Sequence, residues 1–195
     1  MAALERITSP TDTNILSLVE LKTFLRIDNS DEDSLLAALW IAARVMCENY
    51  TNVYCNDAAD NFKLHMDEWP ADSMITIPSA PFSAVSAVKY YNSDDVLTTL
   101  STTDYSGDFK SKQGRIKLDE TPTLKDKLNA VEVTMTCGYD EAAIPKPMLH
   151  AMQMIAANLY ERRGDGMPPN KIISGFEFPA AVKALLDTVK VGGYG

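Results

Sequence analysis

Apolar residues recur every three or four positions at both ends of the chain and every second position through its middle. The first helical stretch opens at Ser17-Leu-Val-Glu20, which reads as a capping box, and carries Leu18, Leu21, Phe24 and Leu25 on one side. It is expected to end near Ile27, with Asp28-Asn-Ser30 as a turn. Ser30 can cap a second helix whose first turn holds Asp31, Glu32 and Asp33, where carboxylates meet the positive end of the helix dipole. That helix has two adjacent stripes, Leu35/Leu39/Ala42/Met46 and Leu36/Trp40/Ala43/Cys47/Tyr50. So wide an apolar face suits a core helix or a subunit interface.

The period then shortens to two. Phe62-Lys-Leu-His-Met66, Met74–Ile77, Val85–Tyr91, Val96-Leu97, Tyr105, Gly114–Leu118 and Val131–Thr136 read as strands of an antiparallel meander. Asn92-Ser-Asp-Asp95 supplies turn chemistry, and Gly138 breaks the last strand. Pro147 fits the first position of a third helix, with Met148, Met152, Ile155, Ala156 and Leu159 as its stripe and Gly164 as its C-cap. A short helix after Pro179 places Val182, Leu185, Leu186 and Val189 together. The expected organisation is one 195-residue α+β domain. Its helices fall at about 17–50, 147–163 and 179–190, its β-rich insertion at about 60–140, and flexible segments at about 164–178 and 190–195. Residues 1–16 read as a polar leader.

Charge and motifs then narrow the chemistry. Hydrophobic residues make up 46% of the chain, and the net charge is -9. An acidic chain has no electrostatic footprint for gripping phosphates, and the basic spots at Lys110-Ser-Lys112 with Arg115 and at Arg162-Arg163 are small. No apolar run reaches the roughly 20 residues needed to span a bilayer. Cys47, Cys55 and Cys137 form no C-x-x-C pair and read as reduced packing residues. His65 and His150 have no ligand-spaced partners, no nucleotide-binding glycine loop occurs, and no G-x-S-x-G is present. No catalytic residue, metal or cofactor is indicated. Asp67-Glu68-Trp69 can be read as a strand-end loop or as a sugar-binding corner. Ile172, Ile173, Phe176 and Phe178 lie in a Gly/Pro-flanked stretch that suits either packing under the helices or docking onto another subunit.

Taken in order, these pieces resemble the head–tail connector (adaptor) family of tailed phages and gene transfer agents. The resemblance rests on Leu16–Asp28, Asp31-Glu-Asp33, Ile41-Ala-Ala-Arg44, Glu48-Asn-Tyr-Thr51 and Ile77-Pro-Ser-Ala-Pro81. Val131–Tyr139, Ile144-Pro-Lys-Pro147, Asn158–Arg163 and Phe178–Leu186 continue it to nearly the whole chain. Two departures are Asn52, where the family usually has Gly, and Thr188-Val-Lys190, where it often has Pro-Tyr-Arg. The resemblance implies a small antiparallel helical bundle with an inserted antiparallel β-subdomain, without enzymatic activity or cofactor. It also implies a homo-oligomeric ring, dodecameric on the portal protein and with a monomer in solution left open. Such a ring extends the DNA channel at the virion neck and receives a downstream neck, stopper or tail protein. Assembly would take place in the host cytoplasm, with no membrane partner and no specific DNA binding. Position and apolar character single out Ile172, Ile173, Phe176, Phe178, Val182, Leu185, Leu186, Tyr194 and Trp40 for the portal or subunit interface. A stopper or tail terminator is the alternative of the same kind, and a carbohydrate-binding module the alternative of another.

Overall fold

A computed structural model describes residues 2–7, 17–55, 59, 61–111, 113–162 and 178–191. The chain falls into two compact units: Met1–Pro10 with Asn52–Asp140 and Val191–Gly195, and Thr11–Thr51 with Glu141–Lys190.

The second unit is helical. Its elements are α1 (Leu18–Leu25), α2 (Asp33–Thr51), a 3-10 turn (Glu141–Ala143), α3 (Lys146–Glu161) and α4 (Ala180–Val189). Helix α2 packs on the other three helices, and α4 also lies on α3. The core is Leu21, Leu36, Trp40, Ala43 and Cys47 with Met148, Met152, Ile155, Ala156, Val182 and Leu186. The second α2 stripe therefore faces inward, while Leu35, Leu39, Ala42 and Met46 are only half-buried.

Several local expectations need correction. Ser17 makes no side-chain cap bond, and its carbonyl instead accepts from the Glu20 and Leu21 amides. Helix α1 stops at Leu25 because Arg26 turns left-handed (φ 59), letting the Ile27 amide donate back to the Lys22 carbonyl at 3.0 Å. Phe24 does not join the core and is 39% exposed. Ser30 precedes a turn, and α2 begins at Asp33, whose carboxylate holds Lys22 at 2.7 Å. Pro147 lies one position further into its helix than expected, since Lys146 starts it. Gly164 lies outside the described residues.

The first unit is built from strands β1 (Ala2–Arg6), β2 (Phe62–Met66), β3 (Met74–Thr76), β4 (Phe82–Tyr91), β5 (Leu97–Thr99), β6 (Tyr105–Asp108), β7 (Arg115–Leu118) and β8 (Val131–Cys137). All pairs are antiparallel, but the order is not a meander. One sheet runs β1-β2-β8-β4-β5 and the other β3-β7-β6. Alternation identifies strands and their faces but not their neighbours, so the long-range β2–β8 pairing was hidden. The core between the sheets holds Phe62, Leu64, Ile75, Ile77, Val88, Ile116, Val131, Val133 and Met135.

The polar leader is also corrected: Ala2–Arg6 pairs with Phe62–Met66 along its whole length. Ala2, Leu4 and Arg6 are half-buried while Ala3 and Glu5 face out. Arg6 secures the strand by donating to the Cys55 carbonyl at 2.9 Å, with its guanidinium over the Tyr54 and Phe62 rings. Strand β4 carries register shifts at Phe82/Ala84 and Val85/Ala87, so Ser83 and Ser86 are the extra residues. Such bulges bend and twist a strand and discourage edge-to-edge pairing.

Asn52 explains its own departure from the family. It follows the last residue of α2 with φ 56, a conformation in which Gly is easiest and Asn is the commonest side-chain-bearing substitute. Its amide also donates to the Val191 carbonyl at 3.3 Å. Asn52→Val should lower unfolding free energy by about 1–2 kcal/mol, since a β-branched residue resists the left-handed region. Denaturant titration checks this, and an unchanged midpoint would contradict it.

Candidate assembly interface

Besides burying Val182 and Leu186, helix α4 is tied to its own bundle around the Tyr50 ring. Phe178, just before α4, meets the Tyr50 ring edge-on with centroids 5.3 Å apart. The Tyr50 hydroxyl donates to Asp187 Oδ1 at 2.7 Å, and Lys190 Nζ stands 4.3 Å from the ring centroid. The bond to Asp187 is the main cause holding the Tyr50 phenol above its usual pKa. Tyr160 adds a short hydrogen bond to Glu32, joining α3 to the start of α2.

This arrangement places the residues singled out above. Phe178 packs on Tyr50 within the chain and is half-buried. Val182 and Leu186 have no exposure, and Leu185 is half-buried. Trp40 is 3% exposed and belongs to the bundle core. Ile172, Ile173, Phe176 and Tyr194 lie outside the described residues. Among the described residues, Phe178 and Leu185 are the members of the set with surface to offer.

Among the described residues, further apolar surface lies at positions not singled out for the interface. Val19 is 71% exposed and Phe24 39%, and with Glu20, Thr23 and Gln153 they line an open cavity of about 340 Å³. In the sheet unit, Val96, Leu97 and Leu128 are exposed around the turn after β4, where Lys127 bonds Asp95 at 3.0 Å and covers the Tyr91 ring. Phe109 is half-exposed and stacks on Phe82. The signal available in the sequence was an apolar residue beside a turn, which is common and unspecific.

The polar clusters serve the fold. Asp67 accepts from the Asn129 amide at 2.9 Å, which is the main cause of its lowered pKa. Trp69 Nε1 donates to the Pro122 carbonyl at 2.8 Å and its ring lies against Tyr90, which braces the loop after β2. His65 is not at a sheet edge: β2 lies between β1 and β8, and His65 pairs with Glu5 at 2.9 Å. His150 stands edge-on to Phe24. Among the described residues no group of three or more His, Cys, Asp or Glu could hold a metal ion, and no helix is long and apolar enough to cross a membrane.

All three cysteines are buried thiols that form no disulfide. Burial pushes the Cys47 thiol up to about 12 and the Cys137 thiol up to about 11. Because the folded values lie above the ordinary thiol value of 9.0, the stability tied to the neutral thiols is intact below pH 9 and is lost as pH rises towards 11–12. At pH 8 the thiolate fraction at Cys47 should fall about a thousandfold, so thiol reagents should modify these residues only on unfolding. Rapid labelling of the folded chain would contradict this.

The chain thus combines a helical unit and a two-sheet unit, with apolar side chains such as Val19, Val96 and Leu128 on the surface. The chain belongs to the Phage gp6-like head-tail connector protein family, whose model matches residues 15–117, just over half the chain. It is a structural head–tail connector of a phage-like particle. Its fold is similar to that of a chain in the neck of an empty gene transfer agent particle computed with C6 symmetry. That likeness has a TM-score of 0.78 at 23% identity, covering 98% of this chain and 97% of the other. A chain of the native gene transfer agent virion gives 0.77 at 24% identity, covering 98% and 96%. A chain of the native particle's neck computed with C12 symmetry gives 0.74 at 22%, covering 98% and 97%. No curated protein matches significantly.

Proposed function

We propose that this connector assembles as a dodecameric ring beneath the portal protein, extends the DNA channel at the virion neck, and presents the surface on which the next neck, stopper or tail protein docks. Family membership over residues 15–117 carries the reading. Near-complete overlap with chains from necks computed with C12 and C6 symmetry supports it, since sixfold symmetry is contained in twelvefold. The net charge of -9 suits a channel component through which DNA slides without sticking. The chain acts by binding, not by catalysis. Phe178 and Leu185, beside the α4 seat, are assigned to the portal-facing surface.

The test is capture of purified portal by the tagged full chain, with purified tail tube as the competitor. Capture of portal is expected, weakened by Leu185→Asp, a half-buried position whose substitution can be checked for folding by circular dichroism. Capture of tail tube with none of portal would overturn the connector reading in favour of a tail-completion protein.

A further inference from the structure

The small sheet of the first unit carries positive charge on an acidic chain. Strand β7 alternates so that Ile116 and Leu118 are buried while Arg115 and Lys117 face out. The register sets Lys117 between Met74 and Ser106, and Arg115 between Thr76 and Asp108. Met74, Ser106, Asp108, Arg115 and Lys117 line an open hollow of about 230 Å³.

Asp108 fixes the hairpin beside this hollow. Its carboxylate accepts from the Ser111 hydroxyl at 2.6 Å, from Arg115 at 2.7 Å, and from the Lys110 amide at 3.0 Å. These bonds, the Ser111 hydroxyl's first, hold it well below the usual carboxylate range. Arg115 is thereby aimed while its side chain stays half-exposed. The ammonium groups of Lys110 and Lys117 have no ion-pair partner among the described residues.

The opposite charge collects on the helical unit. From Leu18 to Asp33, the carboxylates of Glu20, Asp28, Asp31, Glu32 and Asp33 face only two cations, Lys22 and Arg26. Lys22 is taken by Asp33, and Glu32 by Tyr160. Glu20, Asp28 and Asp31 are exposed, with no ion-pair partner among the described residues.

We propose that the outer face of the β3–β7–β6 sheet, through Arg115 and Lys117 together with Lys110 of the β6–β7 connection, docks on the α1–α2 corner of a second copy of this chain, at Glu20, Asp28 and Asp31. The proposal rests on the ring reading and deepens it by naming a subunit contact. Identical chains of net charge -9 repel one another, and a ring needs two different patches on each copy that complement each other head to tail. Opposite charge supplies that complementarity and fixes register. DNA is the poorer occupant, because three cations with a carboxylate among them fall short of the 6–10 phosphate contacts typical of firm binding.

The test is sedimentation velocity of the full chain at about 0.05 M and about 1 M salt, where screening lengths differ severalfold. Wild type should self-associate at low salt and dissociate at high salt. Lys110→Glu/Lys117→Glu and, separately, Glu20→Lys/Asp28→Lys/Asp31→Lys should each raise the dissociation constant by roughly tenfold or more. Mixing the two variants should restore association, because each then offers the other a matched pair of patches. All substituted side chains are exposed and Arg115 is left in place, so melting temperatures should match the wild type. Absence of low-salt association, reversals without effect, or failed rescue would overturn the proposal. Retained association with weakened duplex DNA binding by the portal-bound ring would also overturn it, in favour of DNA. Portal capture in the absence of this contact would leave the connector reading standing and remove only the subunit contact.

Discussion

Removing residues 178–195 should unfold the helical unit, not trim a tail from it. Val182 and Leu186 are fully buried, and Phe178, Asp187 and Lys190 all bear on Tyr50. Two fully buried aliphatic side chains contribute about 1.5–3 kcal/mol each by transfer alone. The exposed faces of α2 and α3 add a further cost, so the sum approaches the roughly 5–15 kcal/mol by which a typical domain is stable. The milder form of the same experiment is Leu186→Ala, which should cost about 2–5 kcal/mol. Far-UV circular dichroism and urea titration read both. A truncated chain with wild-type helicity and midpoint would show that α4 is an appendage. Loss of portal binding by such a truncation therefore cannot be assigned to a lost contact, and point variants at exposed positions are needed.

Asn61→Ala should be the most damaging polar substitution in the sheet unit. Asn61 is fully buried, and its side chain extends the ladder just before β2 begins. Its amide donates to the Cys137 carbonyl at 2.6 Å, and its Oδ1 accepts from the Cys137 amide at 2.9 Å. The Asn61 carbonyl also accepts from the Ile7 amide at 2.8 Å, so the same residue steadies the end of β1. Alanine leaves one buried backbone donor and one acceptor unsatisfied, at about 1–3 kcal/mol each, or about 3 kcal/mol together. For a chain of this size that corresponds to a melting temperature about 6–12 °C lower. Asn61→Asp should also destabilise, because a carboxylate can accept from the Cys137 amide but cannot donate to its carbonyl. A shift of less than about 1 °C in either variant would contradict this role.

The helices could be read from the chain because their stripes are long and continuous. Met148, Met152, Ile155 and Ala156 lie in the core as their spacing implies, as do Leu36, Trp40, Ala43 and Cys47. Strand positions were also legible, since β7 alternates between buried and exposed and β8 between buried and half-buried. What periodicity could not supply was partnership. Ala2–Arg6 looks polar because only Leu4 is strongly apolar, and it is a strand by virtue of β2 beside it. The division into two sheets depends on contacts between residues more than 40 positions apart, such as Met74 with Lys117. Caps misled for a local reason: Ser17 and Ser30 have the right side chains, but backbone carbonyls take up the first helical amides. Surface exposure was the least legible part, because a fully buried Val182 and an exposed Val19 look alike in sequence.

The most direct measurement is electron microscopy of the purified chain co-sedimented with its cognate portal. The expected result is a twelvefold ring of this chain capping one end of the portal, coaxial with its channel. A portal that sediments without the chain, or with single copies scattered off its axis, would contradict the connector role.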